Sequence, residues 1–334
     1  MNSKLMEINH KNLDFPILYY LSEEHSINKT ELSNKLLLTK TDIEKQVEQL
    51  SQLGYHLSID AKKGYRIVKR PDILLPFEIK KKLTTSYIGQ TIYYFPELSS
   101  TNTMANQMAG EMSGKMPEGT IIIAEKQSGG KGRSGKKWIS PPGGIWSSII
   151  FYPLDISTHI SLFTLMAAAA VARTIDKLFP QIRVHIKWPN DILTGGRKIC
   201  GILTEMSTEK KNVKWVIVGI GINVNNDSSC LPEEIRENSL SLKEITGHPI
   251  NRINLISHLC SEIERFYEAF KNKDYSLIIE EWKTYNNVIG KKIKVNLGEK
   301  IIIGEAIGID EKGALILKTD TAEIIEIISG IILP

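Results

Sequence analysis

One nine-residue stretch restricts the architecture more than any other: Gly130-Lys131-Gly132-Arg133-Ser134-Gly135-Lys136-Lys137-Trp138. Its three spaced glycines and four cations come soon after an apolar run, Thr120–Ala124, that reads as a strand. Glycine admits positive φ and close backbone approach, and successive N–H groups in such a turn form a concavity suited to anions. Between Lys126 and Ile150 there are five Lys or Arg and no Asp or Glu. The segment therefore calls for a negatively charged partner, and a phosphate-bearing small molecule fits best.

Two familiar phosphate-binding folds are excluded by the residues that come after the glycines. Gly130 to Lys136 satisfies G-x-x-x-x-G-K, but a P-loop then needs Ser or Thr and a helix. Here Lys137 comes next, and Pro141-Pro142-Gly143-Gly144 cannot open a long helix. Gly130, Gly132 and Gly135 also satisfy G-x-G-x-x-G, with Asp155 lying 20 positions beyond the last glycine. A dinucleotide fold requires a helix to open on that glycine, whereas Gly144–Phe151 reads as another strand. The stretch is a basic glycine loop between two strands; taken alone, it also fits a solvated basic hairpin.

At 334 residues the chain suggests two or three domains. With 42% hydrophobic and 24% charged residues it has ordinary globular composition, and its net charge of +4 is mild, so positive character matters locally. The three cysteines, Cys200, Cys230 and Cys260, share no metal-ligand spacing, and no metal site is expected. They read as reduced thiols, and with no signal peptide at the start a cytoplasmic protein is expected. The longest apolar stretch, Ser161–Ala172, is shorter than the ~20 residues of a bilayer crossing.

The pattern divides into an α+β multidomain chain. Residues 1–67 read as three helices and a hairpin. Ile17, Leu18 and Leu21 mark the first segment, and Asn28-Lys29-Thr30-Glu31 caps a helix through Leu36. Thr41-Asp42-Ile43-Glu44 caps a third, with Ile43, Val47, Leu50 and Leu53 at helical spacing and Gly54 at its end. Strands Tyr55–Ile59 and Gly64–Val68 form a wing. This is a winged helix-turn-helix, for which Lys40, Thr41, Lys45, Lys62, Lys63 and Arg66 are the candidate DNA contacts. Acid at the start of the third helix gives weight to the alternative, a module making only protein contacts. A linker is expected over 68–82, with a charged helix carrying Lys80, Lys81 and Lys82. Residues 83–275 alternate strands (91–95, 120–124, 144–151, 184–187, 201–206, 215–220) with helices Ser161–Leu178 and Asn254–Phe270, which implies a mixed sheet. Residues 276–334 end in short period-two strands, suggesting a small SH3-like β-barrel.

In this order the parts resemble bifunctional biotin–protein ligases that also serve as biotin operon repressors. The likeness covers nearly the whole chain. It is carried by Ser100-Thr101-Asn102, by Ala124-Glu125-Lys126-Gln127 leading into Gly130-Lys131-Gly132-Arg133 and Trp138, by Lys187-Trp188-Pro189-Asn190-Asp191 with Lys198 and Gly201 to Glu205, and by Gly219-Ile220-Gly221-Ile222-Asn223-Val224-Asn225. One departure is clear: the family's usual G-R-G-R here has Lys131 for the first Arg, keeping charge but losing the planar fork.

The resemblance implies a central sheet of class II aminoacyl-tRNA synthetase type and a two-step reaction. Biotin's carboxylate attacks the α-phosphorus of ATP to give biotinyl-5′-AMP, and a lysine of a biotin carboxyl carrier protein then attacks the mixed anhydride. It implies biotin contacts from Ser100, Thr101, Asn102, Gln127, Gly130, Lys131, Gly132, Arg133, Lys198 and Gly201, with Lys198, Arg133 and Lys131 as electrostatic catalysts. It further implies nucleotide contacts from Trp138, Lys187, Asn190 and Asn223. Mg²⁺ would be held largely by phosphates and water, with Asp191 nearby. Operator DNA and a homodimer of the adenylate-bound form are the other expected partners.

Blander readings stand beside these. Ser100-Thr101-Asn102 suits a helix cap, Lys187 to Asp191 suits a turn, and Asn223 suits buried backbone satisfaction. A lipoate-type ligase, a regulator that binds without turnover, and a ligase whose winged helix no longer binds DNA are the alternatives.

Overall fold

The computed structural model describes residues 15–60, 62–153, 160–210, 212–298 and 300–333. Asp155, the acid that completed the dinucleotide pattern, lies outside them. The chain divides between Lys81 and Lys82 into two compact units.

In the first unit a single 3-10 turn, Pro16–Tyr19, stands where a first helix was expected. It is followed by α1 (Lys29–Leu36), α2 (Lys40–Gln52), the hairpin β1 (His56–Asp60) and β2 (Gly64–Lys69), and a short α3 (Pro76–Lys80). Asn28 caps α1 as expected, accepting from the Glu31 N–H at 2.8 Å. The cap of α2 is Thr39, two residues before the expected one. Its hydroxyl accepts from the Asp42 N–H at 3.1 Å while the Asp42 carboxylate accepts from the Thr39 N–H at 3.3 Å. Asp42 at the third helical position suits this reciprocal box, and Thr41 is left exposed in the first turn. Ile43, Val47 and Leu50 bury one face of α2 in a core with Leu18, Leu32 and Ile67. The hairpin turns back at Gly64, with φ +92°, where a Cβ would sit 2.0 Å from the Ile27 carbonyl oxygen.

Residues 70–81 do not form the expected linker. Leu74, Leu75, Phe77 and Ile79 are apolar and buried, and Phe77 meets Tyr19 edge-on at 4.3 Å. The Tyr55 hydroxyl donates to Glu78 at 2.9 Å, and Arg70 pairs with the same carboxylate. These contacts fold α3 onto the first unit.

The second unit is built on a seven-stranded sheet: β3 (Ile92–Leu98), β4 (Ile121–Gln127), β5 (Ile145–Phe151), β6 (His185–Lys187), β7 (Asp191–Thr194), β8 (Arg197–Glu209) and β9 (Asn212–Ile222). The spatial order is β3-β4-β5-β9-β8-β7-β6. Strands β3 and β4 run parallel and the other neighbours antiparallel, so the sheet is mixed, as the adjoining strands in sequence implied. Strand β7 was not foreseen, because four residues after a Pro-Asn-Asp turn show too little alternation to declare themselves.

Helix α4 (Thr101–Glu111) packs on β4, β5 and β9. On the other face lies a helical layer of α5 (Ile160–Leu178), α6 (Arg252–Lys271) and α7 (Tyr275–Tyr285). The register Leu203↔Gly219 turns both residues toward α4, while Thr204 faces α5 and meets Thr164. Helix α7 buries Ile278, Ile279, Trp282 and Tyr285 against α5 and α6. The helical layer therefore runs to Tyr285, past the expected boundary at 276. Strands β10 (Lys292–Asn296), β11 (Ile301–Ile309), β12 (Leu315–Lys318), β13 (Ile324–Ile327) and β14 (Ile331–Leu333) then form an antiparallel sheet within the same compact unit. No helix among the described residues is long and apolar enough to cross a membrane.

Candidate active site

The sheet face toward α4 carries three glycines in register: Gly201 opposite Gly221, and Gly219 opposite Leu203. Their missing side chains make room for others. A Cβ on Gly219 would lie 2.1 Å from Asn102 Oδ1, and one on Gly221 would lie 2.4 Å from Trp138 Nε1. Gly201 likewise lies under Trp138, where a Cβ would come 3.0 Å from the indole ring, and beside the stem of Lys198. Over this floor is a cavity of about 390 Å³, within the size range of small-molecule sites.

Every small-molecule contact expected from sequence lines this cavity except Gly130. Gly130 lies behind it: its carbonyl accepts from the Trp138 N–H at 2.8 Å, and a Cβ there would meet the Trp138 carbonyl at 2.3 Å. Its role is to close the loop. The Lys131↔Lys137 bridge and the Gly132 N–H to Lys136 carbonyl bond (2.7 Å) complete a short hairpin, with Lys131 exposed.

Behind one end of the cavity is a buried polar chain. Ser148 donates to Asn102 Oδ1 at 2.6 Å and lies 2.8 Å from the Thr101 hydroxyl. Gln127 Oε1 accepts from the Thr101 N–H at 2.8 Å, and Gln127 Nε2 donates to Ser140 at 2.7 Å. Asn102 Nδ2 donates to Glu205 at 2.7 Å and to the Leu203 carbonyl at 3.2 Å. Both ends of the Asn102 amide are thus engaged within the protein. Ser100 caps α4 through the Thr103 N–H, so the capping reading of Ser100-Thr101-Asn102 holds while all three line the cavity. Ser148 was missed; its signal was a serine pair, Ser147-Ser148, inside the apolar strand β5.

At the other end stand two cations. Lys198 Nζ is 2.6 Å from Asp191 and 4.8 Å from the Trp138 ring centroid. Arg133 donates to Asn190 Oδ1 at 2.9 Å, Ser329 Oγ at 3.0 Å and the Gly330 carbonyl at 3.1 Å. Burial lowers its pKa, with Asp191 acting in the opposite sense. Asn190 Nδ2 donates to the Ile202 carbonyl at 2.9 Å, so this amide orients Arg133. Lys187 to Asp191 also form the expected turn, joining β6 to β7 with Lys187 opposite Asp191 and a cis Trp188–Pro189 peptide. Asn223 is buried, bonding to Asn226 at 3.3 Å, and lines the cavity as well. The contribution of Gly330, Ile331 and Ile332 from the last sheet had no sequence signal.

Cys200 and Cys260 are buried and Cys230 is exposed; burial pushes the Cys260 thiol up to about 12. No cluster of three or more potential metal-ligating side chains occurs among the described residues. The candidate DNA contacts all lie in the first unit. Lys40, Thr41 and Lys45 are on the exposed face of α2 and Lys62 and Lys63 are in the exposed turn, while Arg66 donates to the Glu23 carbonyl at 3.1 Å.

Residues 94–223 match the biotin/lipoate A/B protein ligase family, and 288–333 match the biotin protein ligase C-terminal domain. The chain is 36% identical to the bifunctional ligase/repressor BirA of Bacillus subtilis, over 88% of this chain and 90% of that protein. It is 28% identical to the BirA of Escherichia coli over 87% of each. A solved biotin protein ligase from Aquifex aeolicus, in complex with biotin and ATP, superposes with a TM-score of 0.62 at 30% identity, over 73% of this chain and 98% of that one. The family motifs lie where the cavity, the polar chain and the two cations converge, and the chain belongs to the biotin protein ligase family.

Proposed function

We propose that this protein joins biotin to ATP to form biotinyl-5′-AMP, then transfers biotin to a lysine of a biotin carboxyl carrier protein. The observation that carries the reading is the approach of Lys198 and Arg133 to one end of a cavity whose other end is a buried chain of amides and hydroxyls.

Both steps gather negative charge on phosphoryl and acyl oxygens, so positioned cations and N–H donors act on the transition state. In the first, a carboxylate oxygen attacks the α-phosphorus and pyrophosphate leaves. Lys198 sits where it neutralises the charge on the pentacoordinate phosphorus oxygens, and Lys131 and Arg133 close from the loop. Trp138 supplies an aromatic wall for the nucleotide or the apolar part of biotin. Asp191 and Glu234 are the carboxylates on the cavity wall, so Mg²⁺ arriving with the nucleotide would take most of its ligands from phosphate and water. Its chemistry is to offset charge on the departing pyrophosphate. Labelled pyrophosphate should exchange into ATP only when biotin is present; exchange supported by lipoate in its place would contradict the reading. The match over 288–333 to a biotin-type C-terminal domain favours biotin.

A second activity has its own observation. In the first unit Asp42 closes the α2 cap and Glu44 pairs with Lys29. Lys40, Lys45, Lys62 and Lys63 are exposed. The unit is read as a winged helix-turn-helix and the protein as a biotin-responsive repressor, cytoplasmic, dimerising through the central sheet when it holds adenylate. A gel shift on its own promoter should strengthen with adenylate and weaken steeply with salt. A shift insensitive to both would remove the repressor role.

A further inference from the structure

A second cavity, of about 210 Å³, adjoins the first. It is too small for a second drug-sized ligand but roomy for one side chain. Its walls are Ser161, Thr164 and Leu165 of α5, Thr204 of β8, and Ile328 and Ser329 beside the last strand. Arg133, Ile202 and Leu203 line both cavities. The strand pairing accounts for this. Strand β7 pairs with β8 only as far as Gly201, and Asn190 bonds to Ile202, so the edge of β8 beyond is not covered by β7. Leu203 faces the main cavity and Thr204 faces α5, so the two cavities flank this edge and share Arg133 as a wall.

We infer that this second cavity admits the acceptor lysine in the transfer step. The inference rests on the ligase reading. With the adenylate filling the main cavity, its acyl carbon must lie near Lys198 and Arg133, and the acceptor amine needs another approach. The second cavity has one of those groups, Arg133, in its wall. Leu165, Ile202 and Ile328 give an apolar wall for the four-carbon stem of a lysine. Ser161, Thr164, Thr204 and Ser329 supply hydroxyls, and none of the described residues lining the cavity is a carboxylate. A lysine entering it is desolvated beside a guanidinium and meets no counter-ion from those walls. Both effects favour the neutral amine, which is the nucleophile. Its lone pair forms the new N–C bond, the C–O bond to phosphate breaks, and that electron pair leaves with AMP. The nitrogen releases one proton to solvent as the amide forms. Ile328, exposed at the rim, gives the carrier domain an apolar contact.

Filling the cavity from α5 tests this, because Ser161 and Thr164 are half-buried and belong to neither the main cavity nor the polar chain. Ser161→Phe and Thr164→Leu should leave biotin-dependent pyrophosphate exchange close to that of the unaltered protein. Biotin transfer to a purified carrier domain should fall about 100-fold in kcat/KM, the scale of a misplaced nucleophile. Ser161→Ala, which leaves the cavity open, should keep exchange and reduce transfer by no more than about 5-fold, the scale of one lost hydroxyl contact. Undiminished transfer in the two filled variants would overturn the inference, as would a parallel loss of exchange and transfer in both. Absence of exchange in the unaltered protein would instead refute the ligase reading, and the inference with it.

Discussion

Replacing Lys198 with alanine should lower the rate of biotin-dependent pyrophosphate exchange by about 10²–10³, the usual scale for removing one preorganised group that stabilises transition-state charge. The lysine is held at both its backbone N–H and its carbonyl. Its backbone N–H donates to the Asn238 carbonyl at 2.8 Å, and its carbonyl accepts from the Leu240 N–H at 3.0 Å. Its ammonium lies between Asp191 and the face of Trp138. Removing it deletes a cation and leaves the Asp191 carboxylate facing an anionic ligand without its partner. The loss should therefore be partly restored in the double variant Lys198→Ala with Asp191→Asn. Stability should change little, because the Lys198–Asp191 pair is partly open to solvent and such pairs contribute at most about 1 kcal/mol. Near-normal exchange in the Lys198→Ala protein would remove this residue from the chemistry.

Arg252→Met should produce the largest loss of stability, about 3–5 kcal/mol, because it removes the cation that faces the largely buried Glu125 carboxylate. The Arg252 side chain is 1% exposed. Its Nη2 is 2.9 Å from Glu125, and its Nη1 donates to the Gly144 carbonyl at 2.7 Å. One guanidinium thus joins α6 to the end of β4 and the start of β5, the two strands that carry the basic loop. Urea unfolding of the second unit should show a midpoint shift of that order, and pairing the change with Glu125→Leu should recover much of it. If the single variant unfolded at the normal midpoint, the loop's support would lie elsewhere.

Much of the site is legible in the amino-acid sequence, because its chemistry depends on local strings. The loop between β4 and β5, the cap at Ser100, the turn at Lys187–Asp191 and the glycines of β9 each announce a backbone requirement within a few residues. The features that stayed hidden depend on partners distant in sequence. Asn102 lines the cavity as expected, but the hold of Ser148, Leu203 and Glu205 on its amide had no local signal. Arg133 is held by Gly330, 197 positions away, and no local pattern in the last sheet foretells that carbonyl. The expected linker is a related case: Leu74, Phe77 and Ile79 are buried, and Phe77 packs on Tyr19, distant in sequence. Gly130 is a milder case: it belongs to the loop string, yet it lies behind the cavity, bonded to Trp138.

On the proposed reading, Lys198, Lys131 and Arg133 gather around an acyl-phosphate bond formed in the cavity floored by Gly201, Gly219 and Gly221. A crystal structure of the protein incubated with biotin and ATP tests it directly. Density for biotinyl-5′-AMP should lie on that floor, with its acyl and phosphate oxygens against Lys198 and the loop cations and its ring toward the Thr101–Gln127 end. Ligand bound at another place, with the Gly130–Trp138 loop turned to solvent, would contradict the account.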